Sequence, residues 1–140
     1  MNWCCLATKI HVTIPAILHH YMEVNLHGLE LANLLVNTII DKKATNILLL
    51  DVHEQVIFTD YFILCNGDSN RQLQALLEGV AEAAKHKGDT LPTGIEGQPE
   101  SGWVLADFGE VIVHLFSPEK RAYYKLEDLW SQSRVVLRIQ

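Results

Sequence analysis

Three groupings in this sequence have side chains suited to chemistry. Gly67-Asp68-Ser69 stands between an apolar run and a helical pattern, where free backbone N–H groups could cradle a phosphate. It has neither the P-loop lysine pattern nor GxGxxG, and an aspartate at the turn would repel a phosphate. Helix capping by Asp68 or Ser69 accounts for the same residues. A metal-dependent nucleotidyl transferase needs carboxylates at alternate positions of one strand, and Asp51 stands alone on its run. Asp107 and Glu110 flank a turn and suggest an acid/base pair, but they lack the His, Ser or Cys partners such a pair needs. Asp60 could act as an acid, or cap and pair locally.

The remaining reactive types are isolated. Alternation in Val111–Phe116 puts Ile112, His114 and Phe116 on one face and Val111, Val113 and Leu115 on the other. A lone histidine on such a strand reads as a hydrogen-bonded core residue. Cys65 reads as an inert buried thiol. Cys4-Cys5 and His19-His20 are adjacent pairs without the separated ligand spacing of a zinc module. Three cysteines, two of them adjacent, make no disulfide framework, as in a reducing compartment. Trp103 is different. It follows a Gly/Pro loop beside acidic residues, and tryptophan near a surface is the type most enriched at binding hot spots.

Charge points the same way. The net charge is −6, which argues against a free-standing nucleic-acid binder. From Gly88 to Glu119 there is no Lys or Arg, yet there are six carboxylates: Asp89, Glu96, Glu100, Asp107, Glu110 and Glu119. As a set they favour a basic partner surface. With 140 residues, 49% hydrophobic and 20% charged, the chain can build one core. No apolar run reaches the roughly 18–20 residues of a membrane span.

The elements that position these residues follow from periodicity. Leu31, Leu34, Leu35, Thr38, Ile39 and Lys42 predict a helix over Gly28–Lys43. Asn46–Val52 and Tyr61–Cys65 are short continuous apolar runs, predicted as strands buried on both faces. A second helix is expected from Ser69 to about Lys87, with Leu73, Leu76, Leu77, Val80, Ala81 and Ala84 inward and Gly88 ending it in the left-handed conformation. Residues 89–102 read as loop. Trp103–Ala106 and Val111–Phe116 then form a hairpin around Asp107-Phe108-Gly109-Glu110. Ala122–Trp130 reads as a short helix or turn, and Val135–Ile139 as a last strand. The order implies an α/β or α+β sandwich with a mixed sheet.

Taken in order, Asp60-Tyr61-Phe62-Ile63, Gly67-Asp68-Ser69, Glu96-Gly97, the run Trp103 to His114, and Arg121 to Trp130 resemble the ribosomal silencing factor, or Iojap, family. The resemblance implies a mixed five-stranded sheet flanked by helices, shaped like nucleotidyl transferases without their metal carboxylates. It implies no enzyme activity and no cofactor. It implies binding to the large ribosomal subunit through ribosomal protein L-fourteen, so that the small subunit is excluded and translation is damped when nutrients are short. Homodimers are frequent in the family. The alternative reading is a degenerate or active nucleotidyl transferase. The Trp103–Glu110 segment (Trp103, Val104, Leu105, Ala106, Asp107, Phe108, Gly109 and Glu110) corresponds to the family's partner-binding edge. By that resemblance Trp103 and the backbone of Val104–Ala106 pack on the ribosomal protein, Asp107 and Glu110 face its basic side chains, and Gly109 allows close approach. Arg121, Tyr124, Leu126 and Trp130 are expected to buttress the hairpin, with Asp60, Gly67, Ser69 and His114 as structural support.

Residues 1–24 match nothing in that family and show no sustained period. They are expected to be a non-native or disordered extension, with residues 25–140 a single silencing-factor domain and Met22 the native start. The lack of an Arg- and Ser-rich transit pattern there favours the bacterial cytosol. Mass spectrometry of the protein from its natural source is expected to find no N-terminal peptide containing Trp3.

Overall fold

The computed structural model describes residues 16–140, with side chains described from His27 onward. The N-terminal extension expected over residues 1–24 therefore lies largely outside the described residues. The first helix, α1 (Ala16–Asp41), begins well before the predicted Gly28. Its buried stripe is Leu31, Ala32, Leu35, Val36 and Ile39. Ala32 and Val36 replace the expected Thr38 and Lys42, because the helix turns a slightly different side to the sheet. Lys43, at φ 66°, stops the helix and turns the chain into β1 (Thr45–Asp51).

The two apolar runs become β1 and β2 (Tyr61–Asn66), and every residue of β2 is buried. Next comes α2 (Asn70–His86). Ser69 caps it, its hydroxyl accepting from the Gln72 N–H at 3.1 Å. The Gln72 amide also donates to the Lys42 and Lys43 carbonyls, at 3.3 and 3.0 Å, joining the end of α1 to the start of α2. Gly88 does not terminate α2 in the left-handed region; Asp89 does, at φ 48°. Gly88 is needed for packing instead, since a β-carbon there would lie 3.0 Å from the Ala84 carbonyl oxygen and 3.1 Å from Leu31 Cδ1.

The predicted loop 89–102 contains a strand, β3 (Gly94–Gln98), and a 3₁₀ turn, Pro99–Ser101. The hairpin follows as β4 (Trp103–Asp107) and β5 (Val111–Phe116), with Gly109 at φ 85° in the turn. Two short helices, α3 (Pro118–Tyr124) and α4 (Leu126–Leu129), precede β6 (Arg134–Ile139).

The sheet has six strands, one more than expected, in the order β3-β4-β5-β2-β1-β6. All neighbours are antiparallel except β2 and β5 at the centre, which run parallel from Tyr61↔Val111 to Asn66↔Phe116. The fold is α+β with a mixed sheet. Helices α1 and α2 cover one face over a large core that includes Leu49, Ile63, Val113 and Leu115. The other face carries a smaller cluster of Leu48, Leu50, Phe62, Leu64, Ile112 and Phe116, with Leu126 and Trp130 packed on it.

Edge strand β3 depends on Gly97. At φ 81° it sits in a conformation L side chains rarely adopt, and a β-carbon there would overlap the Trp103 carbonyl oxygen across the ladder. Gly97→Ala is expected to cost about 1–3 kcal/mol of stability, read from urea denaturation, while Gly94→Ala, which meets nothing within 4 Å, stays close to wild type.

Candidate partner-docking face

Strand β4 alternates. Val104 and Ala106 point into the core beneath the long helices and are fully buried, whereas Trp103 and Leu105 pack on the opposite face and remain partly exposed. Phe108, just past the strand, is also in the helix-side core. The docking surface expected from Trp103 through Glu110 is therefore split by the pleat. Nor is β4 an edge. Its backbone pairs with β3 on one side and β5 on the other, so the Val104–Ala106 main chain is not free to receive a partner.

What β4 does expose is an aromatic surface. The Trp103 ring stacks on Phe116 at 5.0 Å and leans on Tyr124 at 4.7 Å. Tyr124 meets Tyr123 edge-on at 5.0 Å, and these two tyrosines are 45% and 76% exposed. On the other side of Trp103, an open groove of about 240 Å³ is lined by Glu96, Gly97, Trp103 and Leu105. The partly exposed tryptophan lies between a groove with an acidic wall and a pair of tyrosines.

The support beneath is specific. Trp103 Nε1–H donates to His114 Nδ1 at 3.3 Å, which requires the neutral histidine to carry its proton on Nε2. His114 is 5% exposed and stands edge-on to Phe62 at 5.3 Å. Burial drives its pKa down to about 4, with the Arg121 charge adding to the effect. Trp130 packs edge-on against Phe62 at 5.4 Å, and Leu126 joins the same cluster. Arg121 does not lie under the hairpin. It donates to the Asn46 carbonyl at 2.8 Å and to Asn66 Oδ1 at 2.9 Å, and pairs with Glu127 at 3.1 Å, so it holds α3 and α4 to the ends of β1 and β2. Gly67 donates its N–H to the Phe116 carbonyl at 2.8 Å, and a β-carbon there would lie 2.8 Å from Leu73 Cδ2. Cys65 is fully buried, and its thiol is pushed up to about 12 by desolvation.

The two tip carboxylates part company. Asp107 Oδ1 accepts from the Gly109 N–H at 2.8 Å, holding the turn while the residue stays partly exposed. Glu110 Oε2 is buried and has no hydrogen-bond partner among the described residues. It lies 3.4 Å from the position of a β-carbon on Gly28, against α1. The expectation that Asp107 and Glu110 face outward together is thus corrected: the turn directs Glu110 back under the helix. Asp60 donates its backbone N–H to the Glu110 carbonyl at 3.0 Å and sits beside it. Both carboxyls are raised above their ordinary range, chiefly by desolvation.

A family model described as "Ribosomal silencing factor during starvation" (RsfS) matches residues 25–140. The chain belongs to the RsfS family. A ribosomal silencing factor of Halalkalibacterium halodurans is 37% identical over 107 residues, covering 76% of this chain and 91% of the relative. A mouse protein named mitochondrial assembly of ribosomal large subunit protein 1 is 33% identical, covering 71% of this chain and 44% of its own length. A crystal structure of a Chromobacterium violaceum protein superposes with a TM-score of 0.70 at 36% identity, covering 74% of this chain and 85% of that one. In this RsfS chain, the parts of the exposed aromatic surface and its groove that the residues alone do not single out are Tyr123 and the β3 wall. Tyr123 stands in an aromatic segment that reads as anchoring, and β3 carries no apolar period to mark it as a strand. Among the described residues no helix is long and apolar enough to cross a membrane, and no group of three or more His, Cys, Asp or Glu side chains could hold a metal ion.

The burial of His114 sets a pH dependence. Its folded pKa of about 4 lies below the unfolded value near 6.5, so the unfolded chain binds the extra proton between those values. The contribution of the neutral ring is complete above about pH 6.5, falls as pH drops toward 4, and is flat below. It should amount to about 3–4 kcal/mol, taking roughly 1.4 kcal/mol per pKa unit. Urea midpoints at pH 7 and 5 are expected to differ more for the wild type than for His114→Phe.

Proposed function

We propose that this chain binds the large ribosomal subunit through ribosomal protein L-fourteen, blocks joining of the small subunit, and so represses translation under nutrient limitation. It works in the bacterial cytosol as a binding protein without catalysis. Family membership supports the silencing role, and the name of the mouse relative links a homologous protein to the large subunit. The single observation that carries the docking reading is the partly exposed Trp103 beside an open, acid-walled groove. Hot spots are enriched in tryptophan held in a packed setting and ringed by contacts that exclude water. Stacking on Phe116, the hydrogen bond to His114 and the Tyr124 contact hold this ring in place before any partner arrives.

The pleat narrows the contact set. Trp103 and Leu105 provide the apolar centre, while Glu96 and Asp107 provide negative charge for a basic ribosomal surface. Val104, Ala106 and Phe108 act from within the core, by fixing the strand.

Co-sedimentation with isolated large subunits tests this reading. Trp103→Ala should weaken binding by about 2 kcal/mol or more. Because Trp103 also packs internally, Leu105→Glu serves as a second variant that leaves the Phe116 stack in place, and it should lose co-sedimentation too. Both variants melting cooperatively yet co-sedimenting and blocking subunit joining like the wild type would refute the assignment.

A further inference from the structure

Away from the aromatic face, at the end of the sheet where β2 and β5 begin, a cleft of about 540 Å³ opens under α1. That volume is within the range of small-molecule sites, roughly 300–1,000 Å³. Its lining includes Asp60, Glu110, Thr59, His27, Phe58 and Ile57. The two acidic residues are brought side by side by the backbone, because the Glu110 carbonyl accepts from both the Asp60 and Tyr61 N–H groups, at 3.0 and 3.1 Å. A carboxylate pair alone says little. The second observation is that Thr59 is only 5% exposed, yet its hydroxyl has no hydrogen-bond partner among the described residues, and neither has Glu110 Oε2. Buried polar atoms left without partners are uncommon and costly. Here the two residues that carry them, Thr59 and Glu110, both line one cleft, with the unpartnered atoms turned just beneath its surface.

We propose that this cleft binds a primary ammonium group carried on an aliphatic stem. An ammonium has three N–H donors and no acceptor. Asp60, Glu110 and Thr59 supply acceptors for it, once the Glu110 carboxylate and the Thr59 hydroxyl turn toward the cleft on their own side-chain torsions. The stem has apolar walls to lie on: Phe58 is 63% exposed at the cleft and Ile57 is completely exposed. Among the described lining residues there is no Lys or Arg to neutralise the pair internally. A divalent ion fits less well, since the described residues form no cluster of three or more metal-type ligands. Desolvation raises both carboxyls, and Asp60 raises Glu110 further while His27 opposes it; a bound cation relieves that cost.

The ammonium could come from a free polyamine or from a lysine side chain of a partner protein. Calorimetry at low salt on the full chain separates the two, using spermidine, Nα-acetyl-lysine methylamide and, as a neutral control, 1-pentanol. The expected result is saturable one-to-one binding of spermidine and none of the alcohol. Binding of spermidine alone assigns the site to polyamines, and binding of the lysine derivative as well shows that one side-chain ammonium suffices. Glu110→Gln and Thr59→Val should each weaken binding at least tenfold, whereas Leu105→Glu, on the aromatic face, should leave it unchanged. Absence of saturable binding by either amine would overturn the proposal. So would folded Glu110→Gln and Thr59→Val variants that bind like the wild type.

Discussion

The parallel pairing of β2 with β5 is the constraint on which the rest of the molecule depends. All six residues of each strand are buried, so neither face of the sheet centre can be left to water. Parallel strands need a long crossover connection, and here it carries α2 and the β3-β4 pair. The crossover returns the chain beside β2 at a register fixed from Tyr61↔Val111 to Asn66↔Phe116. At one end the Glu110 carbonyl takes the Asp60 and Tyr61 N–H groups. At the other, Gly67 donates to Phe116. These bonds set where the sheet can be approached.

The two faces satisfy that burial requirement differently. On one, α1 and α2 supply a broad aliphatic cover. On the other, the cover comes from side chains of short elements, with Trp130 and Leu126 over Phe62 and Tyr124 against Trp103. Aromatic rings cover area efficiently and hold defined mutual angles. A cover made of rings rather than a full helix leaves Trp103 partly exposed at its margin. The same arrangement makes His114 a neutral hydrogen-bond acceptor for the tryptophan. Core and exposed aromatic surface are therefore continuous, through a tryptophan that belongs to both.

Much of this is legible in residue order. β1 and β2 stand out as unbroken apolar runs and β5 as a buried strand with a single histidine, because strands buried on both faces need such runs. The Ser69 cap is legible from its local chemistry. β3 is not, since all five of its residues are exposed and two are glycine. Its existence rests on main-chain pairing with β4, which no side-chain period reports. The early start of α1 leaves no sustained apolar period ahead of Gly28 to mark it. The end of α2 differs from the expected one by a residue, since Gly88 is required for close packing on Leu31 and not for its backbone freedom.

Residue types and their spacing by themselves determined the two apolar central strands, the amphipathic helices, the glycine turn of the hairpin and a long stretch with carboxylates but no Lys or Arg. These are local properties, set by which neighbours along the chain share a face or a turn. Tertiary structure alone decided which carboxylate looks outward. Asp107 and Glu110 are three residues apart and chemically alike, yet the turn keeps one at the surface and folds the other against α1 beside Asp60, fifty residues earlier in the chain. It also decided that β4 is an interior strand, so that what it exposes is the Trp103 and Leu105 side chains and not a free backbone edge. Both outcomes depend on strand pairing between distant segments, and the free energy of that pairing lies in contacts that adjacent residues do not encode.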